Sequence, residues 1–429
     1  MNIVERGRRF LYSLQELATR SAWDWRRCPS CGDTLTHKWG TYRRHPWFLE
    51  GRQVVVVQRH RCPQCRRTYS EQSPTLVRGG WYAREIRRCA LDQWQHGGSS
   101  VRKIAALLRS LLGHQERWLL WRPLDPPPVP QQTCRLSASS LERWLDAAGA
   151  HAQASVADQL VGVTLAGQVA TDGLWACLTG RTRRVVLLLA DNASGLIWPP
   201  VVVAGEEAAA HWHRLFARAA RAGLDLRQVH GVTSDGATGL LAYLARSLDW
   251  VSHQRCVFHL WRPFTQEILV RAQHATRGLT DEAAKAARRA VWRESVRMVR
   301  AVLNAPTHLA AQRAFDDLAL QPWGEALSGL LDAHLDAALV HLLDYNHGLG
   351  RTSPEWLWRD FRMRLSHGRN HRSEVRLERA ALLFAIYHNF EPAQERSERK
   401  RTYRHPGLCP LAVAGVPLSG ISYLDALSV

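Results

Sequence analysis

With 429 residues and 46% hydrophobic content, the chain is long enough for two to four domains with cores of their own, and none of its apolar runs approaches the ~20 residues of a membrane span. Its 57 basic against 38 acidic residues leave a net charge of +19, which favours a polyanionic partner. The nine cysteines, four of them in two CxxC pairs, fit a reduced compartment and a bound metal better than a disulfide framework.

Lysine occurs only at Lys38, Lys103, Lys285 and Lys400, so arginine carries nearly all the positive charge. Arginine suits bidentate phosphate contacts, although coding bias accounts for the Arg/Lys ratio equally well. Residues 1–75 form the first expected segment. Met1 to Arg27 presents a Phe10, Leu11, Leu14 and Leu17 face together with Glu5 and Glu16, the pattern of a short amphipathic helix and not of a signal peptide. Cys28-x-x-Cys31 and Cys62-x-x-Cys65 then make two knuckles, separated by strand-like runs at Thr36 to Tyr42 and Gln53 to His60. Four thiolates so spaced can complete a tetrahedral zinc site, and a domain this small needs such a staple. Arg43, Arg44, Arg52, Arg59, His60 and Arg61 decorate it, with Trp39, Tyr42 and Trp47 interleaved. The pattern suits a nucleic-acid surface; a solvated basic face is the alternative.

Residues 76–155 read as helical. Ala83 to Gln95 and Val101 to Leu112 are divided by Gly97-Gly98-Ser99-Ser100, and a proline-rich break (Pro123 to Pro130) precedes a helix whose serine-rich start at Ser137 has N-cap character. The arrangement is that of an interrupted helix-turn-helix, with Arg102, Lys103 and Arg143 as candidate DNA contacts; an ordinary helical linker is the alternative.

The period changes in residues 156–260. Gln168 to Cys177, Arg184 to Ala190 and Leu196 to Val203 are β-rich runs broken by turn sequences, reading as a three-stranded meander. A helix (Glu206 to Arg221) and a strand containing Val229 and Val232 follow, ending in Ser234-Asp235-Gly236. A further helix carries Leu240, Leu241, Leu244 and Leu248. Asp172 stands mid-strand, where a charge is costly unless solvated, paired or bound to a metal. Asp235 closes the fourth strand, at the sheet rim where ligands are met. The order β-β-β-α-β-α, with acids on the first and fourth strands, is that of a ribonuclease H-like core, a mixed sheet flanked by helices. Residues 261–347 read as an all-helical stretch and 348–391 as the remainder of the core, including a helix from Glu374 to Phe390 expected to pack on the sheet. Residues 392–429 form a tail with the charge run ERSERKR. The fold class expected is therefore an α/β multidomain chain.

TDGLW around Asp172, SDGATGL around Asp235, QRCVFHLWRP from Gln254 and RTSPE ahead of an arginine-rich helix together resemble bacterial insertion-sequence transposases of the Mutator-like superfamily, over roughly Gly162 to Phe390. The resemblance implies a ribonuclease H-like core interrupted by an all-helical insertion, with a triad of two aspartates and a glutamate. Asp172 and Asp235 match the first two. Glu355 matches the third, yet its spacing is one residue short and Trp358 stands where asparagine is usual, so Glu374 is a rival. Cys256 and His259 match a pair beside the second acid, where they would support the site; direct DNA contact is the alternative. Asp191 matches a turn aspartate of structural character. The implied activity is cleavage and strand transfer at the terminal inverted repeats of a mobile element, with two Mg²⁺ (or Mn²⁺) ions on the triad and structural Zn²⁺ on Cys28, Cys31, Cys62 and Cys65. Double-stranded DNA is the implied partner, a homodimer or larger the implied assembly, and the bacterial cytoplasm, at the nucleoid, the expected location. A transposase-derived DNA-binding protein with a decayed core is the alternative function.

Overall fold

The computed structural model describes residues 26–71, 75–77, 80–97, 99–119, 134–179, 182–205, 207–321, 323–343, 350, 355–367, 371–392, 405, 407–418 and 421–427. Residues 1–25 of the expected first helix, the break at 123–130, the RTSPE element as far as Pro354 and the ERSERKR run lie outside them. The chain folds as two compact units: Met1–Gly162, Cys177–Thr182 and Phe361–Val429 form one, Val163–Ala176 and Arg183–Asp360 the other.

The first unit begins with a small antiparallel sheet in the order β1-β4-β5, built from β1 (His37–Arg44), β4 (Val55–Arg61) and β5 (Thr68–Ser70). Between its first two strands sits a hairpin of β2 (Trp47–Phe48) and β3 (Gly51–Arg52). The ribbon buries almost nothing apolar: Cys28, Cys62 and Tyr69, with Cys65 against them. Helices α1 (Arg84–Gly97), α2 (Val101–Leu119) and α3 (Ala138–Gln159) share a larger core in which Ile86, Ala90, Ile104, Leu108, Leu112 and Leu141 are buried. Each isoleucine or leucine among them contributes about 1.5–3 kcal/mol on leaving water. Ser137 caps α3, its hydroxyl accepting from the Ser140 amide at 3.2 Å.

The second unit is built on a five-stranded mixed sheet in the order β10-β9-β6-β7-β8. Its strands are β6 (Gln168–Cys177), β7 (Arg183–Asp191), β8 (Val201–Ala204), β9 (Gly231–Ser234) and β10 (Ser252–Arg255). β6 and β10 both run parallel to β9, whereas β7 and β8 are antiparallel. Helices α4 (Ala209–Arg221) and α5 (Thr238–Ser247) connect the strands and pack on each other. The third run starts at Val201, not at Leu196, because Pro199 and Pro200 have no amide to give a ladder. β10, in a polar stretch that the sequence pattern assigns to no element, is a strand on the sheet's edge.

The helical stretch comprises α6 (Val257–Ala275), α7 (Asp281–Leu303), α8 (His308–Ala319), α9 (Glu325–Asp332) and the short α10 (Leu335–Ala338). Val257, Leu260, Phe264 and Ile268 line one face of α6, at i, i+3, i+7 and i+11, and meet Val299, Val302 and Leu303 of α7 in the largest buried cluster of this stretch. Buried Gln254 of β10 ties the sheet to these helices: its amide donates to the Ala338 carbonyl at 2.7 Å, and its oxygen accepts from the His341 amide at 2.8 Å. α11 (Glu355–His367) opens at the end of the unit.

α12 (Glu374–Phe390) belongs to the first unit. The expectation that it packs on the sheet is corrected: its main partner is α3. Gly149 permits the close crossing, since a Cβ there would lie 2.5 Å from Cβ of Arg379, and Arg379 pairs with Asp146 at 2.7 Å. Ten aliphatic and aromatic side chains on almost every face of α12 are buried, so burial alone did not reveal which surface it would choose.

Candidate active site and metal centre

The register of β6 on β9 places the two aspartates. Val169 pairs with Val232 and Ala170 with Thr233, so Asp172 and Asp235 each lie two residues beyond the last pair on neighbouring parallel strands. Such strands run about 4.8 Å apart. Asp172 is 5% exposed, and its Oδ1 accepts from the Gly173 amide at 2.8 Å. Asp235 is half-buried in the turn to α5, its Oδ1 accepting from the Ala237 amide at 3.0 Å. Gly236 has φ +77°, and a Cβ on it would stand 1.9 Å from Nη1 of Arg255, which donates to the Gly236 carbonyl at 3.2 Å. The positive φ favours glycine there, and the guanidinium of Arg255 fills the space beside it.

Cys256 and His259 follow directly on β10. The Cys256 amide donates to the Ser234 carbonyl at 2.7 Å, which joins the start of α6 to the residue before Asp235. The His259 ring is pushed up to about 9, chiefly by its hydrogen bond with the Cys256 sulfur and further by the charges of Asp172 and Asp235; burial works in the opposite direction. All three groups therefore act on one imidazole and favour its charged form. Pro263, inside α6, has no amide to close the helical bond to the His259 carbonyl. His253 behaves oppositely: burial, then the Arg255 charge, depresses it to about 4. That neutral ring shares a 2.8 Å hydrogen bond with Ser234 Oγ, which also accepts from the Gly236 amide at 3.0 Å.

Sequence reasoning passed over one carboxylate in this place. Glu207, just ahead of α4, has Oε1 2.1 Å from where a Cβ on Gly173 would be. Its own carbonyl oxygen stands 1.7 Å from the corresponding point on Gly239, in the first turn of α5. Its Oε2 is fully buried and has no hydrogen-bond partner among the described residues. Burial first, and the Asp235 charge second, push its carboxyl up to about 7. In sequence, Glu206-Glu207 passed for ordinary acids in a helix's first turn, whereas α4 starts at Ala209. Only the paired glycines hinted at a close neighbour. Alanine at Gly239 is expected to destabilise the protein by several kcal/mol in urea unfolding, because the obstacle is backbone and must shift. A loss under about 0.5 kcal/mol would contradict this packing.

Glu355 is the first residue of α11, and its side chain lies outside the described residues. Five residues earlier, the Gly350 carbonyl accepts from Thr233 Oγ1 at 2.7 Å, which fastens the chain beside β9. Five residues span at most roughly 17 Å. Trp358 is fully buried. Glu374 starts α12, after the N-cap Ser373, in the other unit. Asp191 is buried in a turn, its Oδ2 accepting from the Ser194 amide and hydroxyl at 2.8 and 2.7 Å.

The ligand atoms of Cys28, Cys31, Cys62 and Cys65 all lie within 4.8 Å of one another, the one such group of three or more metal-binding side chains among the described residues. The Cys28–Cys65 and Cys31–Cys62 sulfurs are 3.5 Å apart, close to the ~3.8 Å edge of a tetrahedron with 2.3 Å zinc–sulfur bonds. Burial alone would raise the Cys28 thiol, but amide donors of Ser30 and Cys31 and the neighbouring thiols bring it down to about 6. The cluster could hold a metal ion and is compatible with a zinc ribbon.

Of the basic candidates, Arg43, Arg59, Arg102, Lys103 and Arg143 are exposed. Arg44 donates to the Gly80 carbonyl, and Arg61 lies 4.5 Å over the Trp39 ring. His60 and Trp47 do not decorate the surface: His60 is buried and stacks on Tyr69, and Trp47 belongs to the helical core. Trp39 and Tyr42 remain on a strand exposed along nearly its whole length. Among the described residues, no helix is long and apolar enough to cross a membrane.

A search of curated proteins finds no match for the chain. Residues 200–346 match the family described as Transposase, Mutator family, a span that holds Glu207, Asp235, Cys256 and His259 and stops short of Asp172 and Glu355. On that match, the stretch from 200 to 346 is similar to transposases of the Mutator family.

Proposed function

We propose that the protein is a DDE transposase that binds the terminal inverted repeats of a mobile DNA element and cleaves and joins DNA strands on a ribonuclease H-like core. The observation that carries this reading is the pair Asp172 and Asp235, level with each other on adjacent parallel strands, with the second inside the matched segment. Mixed strand order, with β6 central, supports the core assignment. Residues 261–347 are then the helical insertion, residues 348–360 return to the sheet unit, and residues 1–155 supply a zinc ribbon and a helical DNA-binding region.

The acids fit a hard divalent cation. Two carboxylates level with each other on adjacent parallel strands, Asp172 and Asp235, support this reading. Magnesium keeps several waters, so its carboxylates need not crowd as thiolates do around zinc. Asp172, Asp235 and Glu355 would hold it, or manganese. Bound there, such ions activate the attacking oxygen and steady the leaving one. Common membership of one unit with Asp172 and Asp235, and the Gly350 anchor, favour Glu355 over Glu374. The His259 imidazolium holds its charge beside both aspartates and would orient them or meet a DNA phosphate.

The test is incubation of the purified protein with duplexes carrying the element's terminal repeats and Mg²⁺. Nicking that frees a 3′-hydroxyl, followed by joining to target DNA, is expected. Binding without cleavage under Mg²⁺ or Mn²⁺ would replace this reading with that of a DNA-binding protein with a decayed core. With a net charge of +19, affinity for these duplexes should fall at least tenfold between about 50 and 200 mM salt through counterion release. A flat response in fluorescence anisotropy would contradict an electrostatic interface.

A further inference from the structure

We propose that one face of the ribbon sheet is a stacking platform for single-stranded DNA, with Trp39 and Tyr42 receiving the planes of unpaired bases and Arg59 and Arg61 the phosphates between them. The inference rests on reading the protein as one that cuts DNA strands and so meets unpaired ends, and it names the form of DNA that this surface takes.

A bulge in β1 brings the two aromatics together. Lys38 pairs with His60 and Thr41 with Gln58, so three steps along β1 answer two along β4. Gly40, inside that interval, has φ +105°, a conformation that suits glycine. Without the extra residue, Trp39 and Tyr42 would stand three positions apart on opposite faces. With it they share one. Tyr42 is opposite Val57, and His37, two positions before Trp39, is opposite Arg61. Arg59 lies midway between Val57 and Arg61 on β4 and points to the same side. The Arg61 guanidinium stands 4.5 Å over the Trp39 ring, as a shared face requires. Both rings nevertheless remain in water, Trp39 53% and Tyr42 40% exposed.

The charge and chemistry of this face select its occupant. Residues 26–71 carry ten lysines and arginines against three acids, and none of those acids stands at a paired position of the face. The complement is a polyanion that also offers apolar planes. An apolar peptide would answer the rings and leave the arginines desolvated. A closed duplex would answer the arginines and leave the rings idle, because its bases stack on one another and show only their edges. Unpaired bases show their faces, and stacking on tryptophan or tyrosine is indifferent to sequence. Trp39 and Tyr42 stand two ladder steps apart, about 7 Å, which leaves room for a separate base on each. Arg61 already braces the Trp39 ring, so little side-chain freedom is lost on binding.

The experiment is fluorescence anisotropy of the zinc-loaded, full-length protein with a labelled oligothymidylate and with a blunt duplex carrying the terminal repeat, at about 0.15 M salt. Trp39→Leu/Tyr42→Leu removes the aromatic planes and keeps apolar bulk; Trp39→Phe/Tyr42→Phe keeps the planes. Both pairs replace exposed side chains, so the ribbon should hold its zinc; should the leucine pair lose it, the single Trp39→Leu and Tyr42→Leu variants carry the same comparison. The expected result is oligothymidylate affinity at least tenfold weaker in the leucine pair and within about threefold of wild type in the phenylalanine pair, with duplex affinity within about threefold in both. Unchanged oligothymidylate affinity in the leucine pair, an equal loss for single strand and duplex, or a phenylalanine pair as weak as the leucine pair overturns the platform. Wild type that binds the duplex and not the oligothymidylate overturns it too and leaves the transposase reading standing, whereas wild type that binds neither overturns both. Tighter binding of oligouridylate than of oligothymidylate, lost in the leucine pair, overturns the assignment to DNA in favour of RNA.

Discussion

Asparagine at Asp172, or at Asp235, is expected to lower strand cleavage and joining by ~10³-fold or more while leaving affinity for repeat-bearing DNA within about twofold. The separation of the two effects follows from local geometry. Asp172 Oδ1 accepts from the Gly173 amide, and Asp235 Oδ1 from the Ala237 amide. An asparagine carbonyl oxygen can accept both bonds, so strand and turn keep their shape and only the charge is lost. A hard cation would depend on that charge, whereas on the proposed reading DNA affinity would rest on basic side chains such as Arg43, Arg102 and Lys103. Gel assays of strand cleavage, run beside anisotropy measurements on the same duplex, read the two quantities. Retention of more than about a tenth of the activity in either variant would mean that the acids do not carry the chemistry.

Removing the metal from the four-cysteine cluster, or replacing Cys28 and Cys62 by serine, is expected to unfold the ribbon. Its buried side chains, three of them with two being cysteines themselves, cannot offset the chain entropy of residues 28–70. Structural zinc contributes about 10–16 kcal/mol of apparent binding energy in small zinc domains, which exceeds anything this core supplies. Elemental analysis should find one zinc per chain. After chelation, limited proteolysis should cut within the ribbon, while the second unit, with the mixed sheet and its own helical core, stays resistant. A ribbon that remains protected without metal, or a double variant that keeps its zinc, would remove the assignment. DNA binding should weaken with the ribbon, because exposed Arg43, Arg59, Trp39 and Tyr42 are displayed on its strands.

Much of this was determined by sequence alone wherever the cause is local. The CxxC spacing brings two thiolates to one point whatever surrounds them, and the meander runs at Gln168 and Arg184 became β6 and β7 because their alternation and turn residues act over a few positions. The helical stretch after His259 was legible from its apolar stripes for the same reason. Only tertiary structure decided the rest. Ser252–Arg255 is polar and too short to announce a strand, and it becomes β10 because β9 presents a free edge to it. Trp47 and His60 looked like surface groups until the helices and Tyr69 covered them. Glu207 lies 34 residues beyond Gly173 in sequence and meets it only in the folded sheet. Local propensity sets which elements form; which side chains face one another depends on the packing of distant elements, and no window along the chain contains it.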